Sequence, residues 1–176
     1  MLTSIQRMID HLDATMRGEG WTPFSLADGR IRYCLAKRRF GLWNVLALID
    51  GDGLTADEAS ECVAVIAKTA ESLHGRSRAR MPAGLITLRA THATALFVAD
   101  GVAPELKRKI ARLSSHHSWE SGMVTLESVD VRCGCVDLGH ARAEIKGLWQ
   151  PARTPSRRRL RRAMEPVWPR GERDQK

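Results

Sequence analysis

No apolar run in this sequence is long enough to cross a bilayer. Stretches such as Val45-Leu46-Ala47-Leu48-Ile49 fall far short of the roughly 20 residues a spanning helix needs. Near the start, Arg7, Asp10, His11 and Asp13 interrupt the apolar positions, so the core of a secretory signal is missing too. A cytoplasmic location and no membrane partner are expected. Cysteine is sparse, with four residues (Cys34, Cys62, Cys133 and Cys135), of which only the last two lie close together. That spacing excludes a disulfide-dense secreted scaffold and predicts reduced thiols. Lysine is short as well, at six of 28 basic residues. A preference for arginine can follow from composition alone, so only the clustering of arginines is informative. Finally, there is no Gly-x-Ser-x-Gly elbow, P-loop or Gly-x-Gly-x-x-Gly, and no recognisable helix-turn-helix.

What is present suits one globular domain. A chain of 176 residues that is 43% hydrophobic can bury a real core and is short for two domains. Ile5, Met8, Ile9, Leu12 and Met16 recur at three- and four-residue steps, which predicts an amphipathic helix over 2–17, closed by Gly18 and Gly20. Ile31, Tyr33 and Leu35 alternate with polar neighbours and predict a half-buried strand; 42–50 reads as a more fully apolar strand. Thr55 and Glu58 have capping-box spacing ahead of a helix with the apolar stripe Ala59, Cys62, Val63, Ile66, Ala70 and Leu73. Residues 85–90 and 93–99 suggest a second hairpin, Pro104 opens a further helix, and 123–131 and 133–138 read as the last strands. The expected fold class is α+β: two or three β-hairpins forming one antiparallel or mixed sheet, helices packed on one face, and a basic C-terminal arm. A faint repeat joins 46–51 to 96–101, each a strand ending in Asp-Gly before a helix.

Charge divides the chain into a body, 1–150, and an arm, 151–176. The arm holds nine basic residues against Glu165, Glu172 and Asp174, so it carries 9 − 3 = +6 of the net +8 and leaves the body at +2. Arg157, Arg158, Arg159, Arg161 and Arg162 fall within six residues, with Arg153 just ahead. Such a cluster attracts phosphates by Coulomb forces and counterion release, and guanidinium adds bidentate geometry. Trp168 offers a surface for stacking on an exposed base. The same charge suits an acidic protein surface, in a homo-oligomer or a larger assembly.

Three other groupings bear on chemistry. Asp130, Glu144 and Lys146 have a spacing that resembles the PD-(D/E)xK nucleases, a resemblance limited to these three residues and a compatible mixed outline. It implies two carboxylates holding Mg²⁺ and a lysine orienting the attacking water; the plain alternative is a surface ion pair. Asp50-Gly51-Asp52-Gly53 offers two carboxylates to a cation, but is also what a tight turn between strand and helix demands. Cys133 and Cys135, with His116 and His117 upstream, would make a zinc site if the fold gathered them. The leading expectation is a non-enzymatic, nucleic-acid-associated or assembly protein that needs no cofactor. The Mg²⁺-dependent nuclease is the enzymatic alternative, and an assembly subunit docking its arm on an acidic partner is the third.

Overall fold

The computed structural model describes residues 4–26, 28–39, 42–76, 87–120, 125–140 and 142–146. The arm, 151–176, lies outside the described residues. Helix α1 (Ser4–Arg17) leads into strands β1 (Thr22–Phe24), β2 (Ile31–Arg39) and β3 (Leu42–Asp50). Helix α2 (Ala56–Arg76), strand β4 (Thr87–Ala99) and helix α3 (Pro104–Arg112) follow, then β5 (Ser115–Glu120), β6 (Thr125–Asp137) and β7 (Arg142–Lys146).

The seven strands among the described residues form one mixed sheet in the order β1-β2-β3-β4-β6-β5, with β7 also on β6. β3, β4 and β6 run parallel at its centre, and the strands on either side are antiparallel. β5 covers the first half of the outer edge of β6 and β7 the second. This is the expected α+β arrangement with a mixed sheet.

Strand alternation divides the core between two faces. On one, Val45, Ala47 and Ile49 of β3, Ala93, Ala95 and Phe97 of β4, and Val129, Val131 and Cys133 of β6 meet α2 through Ala59, Cys62 and Ile66, and α3 through Leu106 and Ile110. On the other, Leu46, Leu48, Leu96, Val98 and Val136 meet Met8, Ile9, Leu12 and Met16 of α1. Helices α2 and α3 thus share one face as expected. Helix α1 departs from that expectation by packing on the opposite face, because the central strands are apolar at even as well as odd positions and both faces need cover.

The Thr55–Glu58 capping box forms: the Thr55 N–H donates to Glu58 Oε2 at 2.8 Å and the Glu58 N–H donates to Thr55 Oγ1 at 3.3 Å. Three expectations are corrected. Residues 87–99 are one strand rather than two hairpin arms, since nothing between Leu88 and Ala99 supplies a turn and both faces of the strand are buried. Residues 125–137 are likewise a single strand. In β2 the register shifts between Ile31 and Tyr33, so Ile31 and Cys34 join the α2/α3 face while Tyr33 and Leu35 join the α1 face.

Candidate functional site

The even-numbered positions that place leucines under α1 place polar residues farther back along the same strands. Asn44, His92 and Asp130 are register partners across β3, β4 and β6. Thr94 lies two residues beyond His92, beside Leu46. They share the α1 face by alternation and are buried: His92 is 1% exposed, Thr94 2%, Asp130 4% and Asn44 7%. A polar row in the middle of a parallel sheet is unusual, because such strands are normally filled by Val, Ile and Leu.

His92 Nδ1 sits 2.7 Å from Asp130 Oδ2. This is a close approach and not an aligned hydrogen bond, since Nδ1 has no hydrogen-bond partner among the described residues. Both ring nitrogens of His92, Asn44 Oδ1 and Thr94 Oγ1 are shielded from solvent and have no hydrogen-bond partner among the described residues. Arg132, two residues along β6 from Asp130, feels that carboxylate's field; burial lowers its pKa and Asp130 opposes the shift. On the other face His74 of α2 lies 3.3 Å from Thr91 Oγ1, a buried contact that ties the end of the helix to β4.

The second polar cluster lies where β3, β4 and β6 end together. Gly51 N–H donates to the Val98 carbonyl, and Leu138 N–H to the Ala99 carbonyl, both at 2.8 Å. Asp50 accepts from the Asp52 N–H and pairs with Arg32 at 3.0 Å; Asp52 accepts from the Asp100 N–H at 3.1 Å. The Asp-Gly-Asp-Gly segment therefore uses its carboxylates to build the turn, and Gly53 adopts φ 64°. Asp137, 4% exposed at its side chain, receives Lys107 Nζ at 3.1 Å and lies 3.0 Å from His140 Nδ1. Burial works to raise its pKa, but the hydrogen bonds from His140 and Lys107 win and hold it below the usual carboxylate value. Among the described residues no three His, Cys, Asp or Glu side chains gather to hold a metal.

Backbone register gives the positions of Asp130, Glu144 and Lys146 on β6 and β7. Glu144 pairs in register with Cys135 and Lys146 with Cys133, both cysteines of the α2/α3 face, whereas Asp130 belongs to the polar row on the α1 face. An odd number of residues along β6 separates the partners of Glu144 and Lys146 from Asp130, so the register does not set the three positions side by side. Cys133 and Cys135 are buried, and burial pushes the Cys133 thiol up to about 12, which suits packing and not metal ligation or nucleophilic attack. His116 pairs in register with Asp130 and His117 with Val129, so these two alternate between faces at the backbone level. The arm residues Arg153, Arg157, Arg158, Arg159, Arg161, Arg162 and Trp168 lie outside the described residues.

Sequence reasoning missed His92, Asn44 and Thr94. The one available signal was a histidine inside an Ala- and Thr-rich strand with no turn residue beside it. No protein-family model matches this chain, and neither curated proteins nor solved structures include a significant match. Among the described residues, no helix is long and apolar enough to cross a membrane.

Proposed function

We propose that the protein binds the phosphate backbone of nucleic acids through its C-terminal arm, with the body as an interaction domain, and that it works in the cytoplasm without a cofactor. The observation that carries this reading is the charge division, +6 in residues 151–176 against +2 in the preceding 150. The ion pairs of the body lend support. Arg17, Arg30, Arg32, Lys107 and Arg108 each pair with a carboxylate of the body itself, at Asp13, Glu58, Asp50, Asp137 and Glu105. Their charge is partly spent within the domain, whereas the arm has nine basic residues and only three acidic ones to oppose them. Phosphate contact by such a cluster is insensitive to base sequence and falls steeply with salt.

Replacing Arg157, Arg158, Arg159, Arg161 and Arg162 by Gln in the full chain should weaken binding to duplex DNA or RNA at least tenfold at low salt. It should also flatten the salt dependence, by close to 0.9 in the log–log slope per lost phosphate contact. A mobility-shift titration reads both quantities, and circular dichroism confirms that the body still folds. Equal affinity and slope for the two proteins would refute the reading. Trp168→Ala should weaken single-stranded ligands more than duplex ones, since only exposed bases can stack.

A further inference from the structure

Strand β2 ends in three basic residues with no strand beside them. β1 pairs only with Cys34, Leu35 and Ala36, so among the described residues no strand covers the outer edge at Lys37, Arg38 and Arg39. An edge of this kind presents unpaired backbone N–H and C=O groups. Lys37 Nζ donates to the backbone carbonyl of Glu19, an acceptor that leaves the ammonium charge unopposed. Arg38 is exposed and lies over the ring of its register partner Trp43, 5.8 Å from the centroid. Among the described residues no carboxylate pairs with it, in contrast to Arg17, Arg30, Arg32 and Arg108. A guanidinium stacked by its face keeps its N–H donors, which lie in the plane, available to an incoming anion. Helix α2 ends at Arg76, two residues after His74, and His74 reaches Thr91, the register partner of Trp43. A further basic position therefore falls at this end of the sheet.

We propose that the outer edge of β2, with Arg38 backed by Trp43, is a contact surface for single-stranded nucleic acid. The inference rests on the reading that this protein binds nucleic acid, and it adds a site on the body to the one on the arm. A nucleotide offers an anion and a flat base together. The in-plane donors of Arg38 suit the phosphate, and the face of the guanidinium away from Trp43 suits an unpaired base. A carboxylate on an acidic protein would use only the first of these. Duplex DNA or RNA keeps its bases stacked internally, so the arm serves both forms and the β2 edge favours the single strand.

Fluorescence-anisotropy titration of the full chain with a labelled oligo-thymidylate, and with a duplex of the same length, tests the surface. Arg38→Gln should weaken the single strand at least about fivefold and the duplex less. It should also lower the single-strand salt slope by about 0.7, the value of one lost phosphate contact. Arg38→Lys keeps the charge without the planar fork, and should restore the slope but not the full affinity. The arm variant with five Gln residues separates the two readings. If it weakens binding while Arg38→Gln matches the natural chain on both ligands, the β2 surface is overturned and the arm reading stands. If Arg38→Gln weakens the single strand and the arm variant does not, the surface stands and the arm reading falls. Poly-glutamate binding that Arg38→Gln reduces as much as oligo-thymidylate binding would overturn the surface in favour of an acidic protein partner. Circular dichroism checks folding; should Arg38→Gln not fold, Arg38→Lys decides, and full affinity for the single strand in that variant overturns the surface.

Discussion

An imidazole 2.7 Å from a carboxylate, with both side chains at most 5% exposed, has given up most of its hydration for the partner. Removing the imidazole leaves the Asp130 carboxylate buried without that neighbour, which costs about 1–3 kcal/mol and more for a charged group, whereas replacing both by apolar groups of similar volume is far milder. His92→Ala should therefore destabilise the fold by about that amount in urea titrations, and His92→Leu combined with Asp130→Leu should cost less than His92→Ala alone. A double variant as unstable as the sum of the two singles would show that the pair is not energetically coupled. Burial pushes the Cys34 and Cys62 thiols up to about 12 and 11, so they stay protonated at neutral pH and pack as small apolar groups. Tyr33 works at the boundary: its hydroxyl donates to Asp13, which also holds Arg17 at 2.6 Å, and so anchors α1 to β2.

Elements meet most closely where the three parallel strands end. A Cβ built on Gly139 would run into the Asp100 carbonyl oxygen, so the chain after β6 passes against the turn after β4 with no room for a side chain. Gly139→Ala must push those two turns apart. It should destabilise the protein by about 1–3 kcal/mol, the usual cost of overpacking, with hydrogen-exchange protection lost first at Leu138 N–H, which donates to Ala99. Unchanged protection there would refute the close approach. The helices were legible in the sequence because periodicity and caps are local: α1, the Thr55–Glu58 box and Pro104 at the start of α3 all stand where residue spacing placed them. The central strands were less so. The thirteen residues of β4 give no sign of whether the chain folds back or continues, because parallel pairing with β3 and β6 buries both faces of the strand. The slip at Ile31–Tyr33 leaves no mark in the composition, since either register offers an apolar face.

For the whole molecule, charge and pH act on different parts. Asp13, Glu58 and Asp137 all hold their protons less tightly in the folded chain than in the unfolded one. For Asp13 the leading cause is the hydrogen bond from Arg17, for Glu58 the bond from the Thr55 backbone, and for Asp137 the bonds from His140 and Lys107 overcoming burial. A depressed carboxylate stabilises the fold above its unfolded value and loses that contribution as pH falls through its folded one. The ordinary values are 3.8 for the aspartates and 4.5 for the glutamate, so the melting temperature should hold steady at pH 5–6 and drop below about pH 4. Asp137→Asn should flatten part of that drop in melts between pH 5 and pH 2.5; an unaltered acid limb would exclude Asp137 as a contributor. The arm, in contrast, keeps its guanidinium charge throughout this range.

The sequence by itself determined the α+β class, the helices with their caps, and the concentration of positive charge after residue 150, because periodicity, capping and net charge depend on near neighbours or on no geometry at all. Only the tertiary structure decided which residues meet across the sheet. Asp130 faces His92 and not the register positions of Glu144 and Lys146, because β4 and β6 run parallel in one register while β7 pairs three and five residues farther along β6. Contacts between strands depend on register, and register is set by long-range pairing that spacing along the chain does not encode.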